Sequence, residues 1–471
     1  MRAGYSVRDI SPKPGVTLSG FAARRNRPSE GIDDPILVHA LAVEDDAEVA
    51  LLLVFDLLAL GEEITDELTR ALDGLPGSRR VTPILCCTHT HSAPATIELI
   101  GCGIPDREYW NLLVRAAVEA AREAIANLHP ARLRFQTVPV RDVAYNRRSV
   151  LEDGRVVMTR NPNAAVVKTG PTWDRLLLCR LEDEQGHGIA GIVHWAAHPC
   201  VVCTKQVSAD YPGELRERLS LACDLPFLFL QGASGNINLP FRRMTRTEML
   251  EDTESLMKHV GQRPWLAPIG STTSVLVDCP VRLPYAPVPS IAELEAVRAG
   301  MHEIAETGSG PDPVMAVLSN ILNVEPGQQA DPLMLRYIAG ALHQWSDQIL
   351  NCYASLPDGC DLSAKVWRLG PLVFCFVAAE VFAETAIEIQ NAFPDRCVTT
   401  VAYSSPLVGY LPTDEALLEG GYEVEYAYRF YGHAAPFAKG SEPAVVRSLK
   451  DTITAVLSVD MQRCSHEMRD Q

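Results

Sequence analysis

The chain has no long hydrophobic run. No stretch of about 18 apolar residues occurs, so no membrane-spanning helix is expected. It also has no block of basic residues. The formal net charge is −17 and the pI about 5.2, a balance that argues against nucleic acid and anionic membrane surfaces as partners. The opening MRAGYSVRDISPKPG carries no apolar core of a secretory signal, which points to a cytoplasmic protein. No internal repeat or low-complexity segment is visible. Cysteine is present 13 times, an odd number, and Cys86, Cys87, Cys375 and Cys397 sit inside strand-like runs. Reduced, buried thiols suit that pattern better than a disulfide framework.

Several apolar runs each end in a polar or glycine-rich corner. Val49–Phe55 runs into Asp56, and Val81–Cys87 into two histidines. Ile189–Ala196 runs into His198, Pro226–Leu230 into QGASGNINLP, and Leu372–Ala378 into Glu380. Cys397–Tyr403 leads towards Gly409 and Tyr410. Helical spacing marks Glu108–Asn127, and SADYPGELRERL reads as a helix start with Asp210 as a cap. The expected class is therefore α/β, with mixed sheets flanked by helices. In such folds a site forms beyond the carboxyl ends of strands, where these corners lie. Residues 1–460 read as one catalytic domain, with a helical insert at about 285–350 that could cover the site. Ser290 with Glu293 predicts a capping box, Gly308–Pro313 breaks that helix, and with Pro326–Pro332 the stretch reads as that insert. The polar residues after Asp460 are expected to fray.

The corner CTHTHSAPA, Cys87–Ala95, holds His89 and His91 one residue apart. In an extended strand both would point to one face. Imidazole serves as metal ligand and as acid or base. His198 in HWAAHPCVV is a further strand-end histidine, held at a corner by Pro199. Catalytic zinc takes three protein ligands and keeps one open position, so these residues could share one ion. Cys200 and Cys203 form a CxxC pair, but no second pair completes four sulfurs. The Gln231–Pro240 stretch lacks the lysine of a phosphate loop. Its Gly232-Ala233-Ser234-Gly235 is one residue short of a nucleophile elbow. Asp56 could orient a metal-bound histidine. Glu384, four residues after Glu380, could share a helix face with it.

Taken in order, these stretches resemble the neutral/alkaline, non-lysosomal ceramidase family. The likeness runs from DISPKPG at Asp9–Gly15 through THTHSAPA, YNRR at Tyr145–Arg148, HPCVV and QGASGNIN to Glu380, GYLPT and GGYEV. It implies a ceramidase-catalytic-domain-like fold and one zinc per chain, ligated by His89, His198, Glu380 and Tyr410. It implies that His91 and Arg147 line the reacting carbonyl, with Tyr422 as a nearby hydrogen-bonding group and Tyr410 in reach of it. The family's active-site serine position is here Asn238, and its aspartate is Asn236, which places both asparagines beside the substrate. The family's C-terminal immunoglobulin-like domain has no counterpart in this sequence.

The function implied is a zinc-dependent hydrolase that cleaves a carbon–nitrogen amide bond, N-acyl or another small amide, with metal-activated water. Ester or lactone hydrolysis, or amide formation in reverse, would use the same site. A non-catalytic metal-binding homologue is the third reading. A small-molecule amide is the expected partner, and a homo-oligomer stays open.

Overall fold

A computed structural model describes the chain except residues 46–47, 76–79, 153, 159–167, 241–242, 262–264, 266–268, 270–272, 325–328 and 468–471, and describes only the backbone over 459–467. Among the described residues, the long strands form three sheets. The first has five strands, in the order Arg80–Cys87, Glu48–Phe55, Leu37–Glu44, Arg2–Asp9, His129–Pro130. The second has four, in the order Phe227–Gln231, Gly188–Trp195, Arg175–Glu182, Arg132–Pro139. The third also has four, in the order Ser274–Asp278, Ala364–Leu369, Leu372–Val377, Cys397–Val401. All three are mixed, and each contains one parallel pair that includes its edge strand.

Strand alternation explains how the sheets stack. Side chains of a strand point to opposite faces in turn. Leu51, Leu53 and Phe55 pack against Ile64, Leu68, Leu113 and Ala117 of the helices Glu62–Asp73 and Arg107–Ala126. Their neighbours Ala50, Leu52 and Val54 join a core shared with Leu177, Ile192, Leu228, Trp367, Phe374 and Phe376 of the other two sheets. The third sheet divides in the same way, with Val373, Cys375 and Val377 turned to a core that includes Leu449 and Ile453 of the helix Ser441–Glu467. Both faces of these strands are buried, so they read in sequence as unbroken apolar runs. That last helix continues past Asp460, where fraying was expected, and its backbone stays helical to Glu467.

The expected helical stretch contains the helices Ile291–Thr307, Asp312–Ile321 and Pro332–Asn351. Ser290 and Glu293 form the capping box, and Gly308 ends the first helix in a left-handed conformation. Met301, Ile304, Leu318, Leu335, Ile338 and Leu342 form a core of their own with Phe430. Of Pro326–Pro332, residues 326–328 lie outside the described residues. No helix among the described residues is long and apolar enough to cross a membrane.

Candidate metal centre

The strand Arg80–Cys87 ends where the two histidines begin, so strand alternation does not bring them together. Backbone hydrogen bonds from Thr88 to Phe55 and from His89 to Leu57 tie the departing chain to the neighbouring strand's end. His89 then takes a left-handed conformation, φ 67°, unusual for a non-glycine residue and held here by its surroundings. The turn aims His89 and His91 at one point. Gly20, at φ +95°, makes room for His91: a Cβ there would lie 2.6 Å from its ring. Arg24 ties the corner down, donating to the carbonyls of Ser19, His91 and Thr204 and to Ser92 Oγ.

His198 arrives from the end of the strand Gly188–Trp195, in the second sheet. The Nε2 atoms of His89 and His198 are 3.1 Å apart, those of His91 and His198 2.9 Å, and those of His91 and His89 3.4 Å. Burial pushes His91 and His198 well below the usual histidine range, and neighbouring cations and imidazoles add to this. Neutral rings need one N–H each. His89 Nδ1 lies 2.7 Å from Leu58 O, and His198 Nδ1 lies 3.1 Å from Ser234 O. A carbonyl only accepts, so Nδ1 carries a proton in each ring and both Nε2 atoms face inward. His91 lacks a comparable anchor: its Nδ1 faces Gly20 at a geometry too poor for a full hydrogen bond.

Glu380 comes from the third sheet's side, on the two-residue strand Glu380–Val381. Its Oε2 lies 3.4 Å from His89 Nε2 and 4.0 Å from His198 Nε2, is buried, and has no hydrogen-bond partner. Three converging imidazole nitrogens beside an orphaned carboxylate oxygen are poor neighbours for one another. They suit a divalent cation, and the mix of imidazole and carboxylate is that of zinc and its borderline relatives. The histidines form the described residues' one group of His, Cys, Asp or Glu ligand atoms close enough to hold an ion.

Tyr410 stands opposite Glu380, the two being Cα partners in a parallel pair of short strands. Its hydroxyl accepts from Arg147 Nη2 at 2.9 Å. Arg147 is anchored from behind by Glu423, Nε to Oε1 at 3.0 Å, and Arg148 takes the other carboxylate oxygen at 2.9 Å. Burial alone would raise Glu423, but the two guanidiniums outweigh it and hold the carboxyl below its usual range. Loss of solvent raises the phenols of Tyr410 and Tyr422. His89, His91, Arg147, His198, Asn238, Glu380, Tyr410 and Tyr422 all line one cavity of about 680 Å³. Its remaining wall is largely apolar, with Phe21, Leu58, Met158, Met244, Met334 and Phe430, and the helix Asp312–Ile321 contributes Ser319 and Asn320.

Other expectations fare differently. Asn236 does not line the cavity: its amide is shared between Glu384 and the Ala383 backbone. Asp56 orients no histidine, because Arg216 grips it with both Nη atoms, at 2.5 and 2.7 Å. Glu384 shares no helix face with Glu380. It lies in the helix Ala383–Asn391 and bonds Asn146 and Asn236. Asp210 is the first residue of its helix and not its cap, accepting instead from Val202 N and Tyr211 N. Ser234 is wholly buried, engaged by Gln231 and Tyr403. Cys200 and Cys203 lie in the cavity wall and form no disulfide.

The chain is folded like a neutral ceramidase. The crystal structure of neutral ceramidase from Pseudomonas aeruginosa superposes with a TM-score of 0.66 at 18% identity, over 97% of this chain and 74% of that one. A ceramidase complexed with C2 gives 0.65 at 18% identity, over 97% and 75%. No protein-family model and no curated protein matches the chain. The mixed sheets and helices are those of the ceramidase-like fold that the order of motifs implied.

Two residues of the site carried no signal in sequence. Tyr431 donates its hydroxyl to Glu380 Oε1, which leaves Oε2 as the oxygen turned to the histidines. Tyr403 stacks on His89, ring centroids 3.9 Å apart, and so fixes the plane of that imidazole.

Proposed function

We propose that the protein is a zinc-dependent hydrolase that cleaves the carbon–nitrogen bond of an N-acyl or other small amide, in the cytoplasm. The observation that carries this reading is the unpartnered Glu380 Oε2, set in a cavity against three converging imidazole nitrogens. His89, His198 and Glu380 hold one ion per chain, with Tyr410 as the further ligand. Such an ion, when bound, supplies a nucleophilic water at neutral pH and polarises the carbonyl.

The chain's own groups do the rest. An amide is a poor electrophile with a poor leaving group, so both the oxygen and the nitrogen need help. The Arg147 guanidinium, locked by Glu423, faces the acyl oxygen and favours the negative charge that grows there. His91 receives a proton at Nε2 and passes it to the departing amine. Tyr422 hydrogen-bonds the substrate from the cavity wall. The apolar wall takes the acyl portion and excludes water.

The test couples metal content to product analysis. Elemental mass spectrometry is expected to find zinc in the purified protein, and incubation with N-acyl amides is expected to release free amine. Turnover of esters with no amine released from any amide would replace the amidase reading by the esterase one. Absence of metal from carefully prepared protein would sink both.

A further inference from the structure

Asn236 and Asn238 lie two residues apart and are both fully buried, yet their amides are used differently. Asn236 Nδ2 donates to Glu384 Oε2 at 2.7 Å, and its Oδ1 accepts from Ala383 N at 3.0 Å. Both of its polar atoms are spent inside the protein. Asn238 lines the cavity. Its Oδ1 accepts from Arg147 Nη1 at 3.4 Å, and its Nδ2 has no partner among the described residues.

The orientation of this amide follows from chemistry. A guanidinium has donors and no acceptor, so the asparagine oxygen must be the atom that meets Arg147. The NH₂ group must then turn the other way. The backbone beneath it is held on both sides. Asn238 pairs with Tyr145 across two short antiparallel strands, and a bridge joins it to His198. A buried N–H donor without an acceptor is costly and rare, and it calls for an explanation. Packing does not supply one here, since Asn236 shows how a structural asparagine on this segment is satisfied.

We propose that Asn238 Nδ2 is a fixed hydrogen-bond donor for the acyl oxygen of the substrate. This rests on the hydrolase reading of the cavity. An amide substrate offers one strong acceptor, its carbonyl oxygen, because resonance draws the nitrogen lone pair into the C–N bond. The adjacent Arg147 cation selects the same atom. As negative charge gathers on that oxygen, a preplaced neutral donor holds it more tightly than in the ground state. A carboxamide cannot act as a nucleophile as a serine hydroxyl can, so the role at this position is donation alone.

The test uses the protein as purified, with two probes. One is N-hexanoyl aminomethylcoumarin, whose hydrolysis is read by fluorescence. The other is hexanoate, whose binding is read by calorimetry. Asn238→Leu keeps the branched skeleton and removes both polar atoms, whereas Asn238→Ser returns a hydroxyl donor. The Leu variant is expected to lose about 10²–10³-fold in kcat/KM at wild-type zinc content. It is expected to bind hexanoate about tenfold more weakly, with partial recovery in the Ser variant. A Leu variant within about twofold of wild type in turnover overturns the proposal and leaves the hydrolase reading standing. If the wild type cleaves no N-acyl probe, the hydrolase reading fails and hexanoate decides the donor alone. Weaker binding in Leu with recovery in Ser supports the donor. Equal binding in all three proteins, or none in the wild type, overturns it. Should the Leu variant not fold, Asn238→Ala against Asn238→Ser gives the same contrast.

Discussion

Glu380 Oε2 lies 3.4 Å from His89 Nε2 and takes no hydrogen bond. A buried carboxylate oxygen without a hydrogen bond, facing imidazole nitrogens, suits a cation. His89→Ala, His198→Ala and Glu380→Gln are each expected to abolish stoichiometric zinc, measured by elemental mass spectrometry. Chelation should also lower the melting temperature, since an ion at 100 to 1,000 times its Kd contributes about 3–4 kcal/mol. Full zinc content in any of the three variants would remove that residue from the ligand set.

His91 is near the same point but is held differently, without the carbonyl anchor of its two neighbours. His91→Ala is therefore expected to retain zinc while amide turnover falls about 10²-fold or more. Loss of zinc from this variant would make His91 a ligand and leave the proton transfer to another group.

Tyr431 donates its hydroxyl to Glu380 Oε1 and packs edge-on against Tyr410. Groups that orient metal-ligating carboxylates act on affinity. Tyr431→Phe is expected to weaken zinc binding about 10–100-fold, read by competition with a chelator of known affinity. An unchanged affinity would show that Glu380 is positioned by the strand pair alone.

The strands and the ligand-bearing corners were legible because they rest on local signals. Val49–Phe55, Ile189–Ala196 and Leu372–Ala378 are apolar on both faces, and the corners that follow them are polar or rich in glycine. What stayed hidden depends on contacts far apart in sequence. The partner of Asp56 is Arg216, and nothing local announces that pair. The convergence of His89 and His91 comes from a left-handed residue, whereas strand alternation predicts a similar outcome for a different reason. Asn236 and Asn238 look equivalent in sequence, and only their neighbours tell them apart.

Glu423 is buried between two arginines and takes one on each oxygen. Removing its charge leaves cations without compensation. Glu423→Gln is expected to destabilise the fold by about 3–5 kcal/mol in urea denaturation and to lower turnover as Arg147 loses its anchor. A stability change within experimental error would show that water or a neighbouring group compensates both guanidiniums.

Burial lifts the Asp210 carboxyl to about 7, against the opposing pull of the backbone N–H groups of Val202 and Tyr211. In the unfolded chain the group titrates near 3.9. Between these values the folded state holds a proton that the unfolded state has released, so stability declines as pH rises from about 4 to 7. Asp210→Asn should flatten this part of the profile of urea midpoint against pH. A wild-type profile parallel to that of the variant would mean that the hydrogen bonds keep the carboxyl ionised.

The residues proposed to hold the metal lie far apart along the chain, at or near strands of different sheets. At ribosomal speeds of roughly 5–20 residues per second, His89 and His198 are made on the order of ten seconds or more before Glu380. During that interval the nascent chain carries these two imidazoles and His91, with Cys200 and Cys203 beside His198. Those thiols are donors that soft cations prefer. On the proposed metal reading, the full ligand set therefore comes together only after Glu380 has been made.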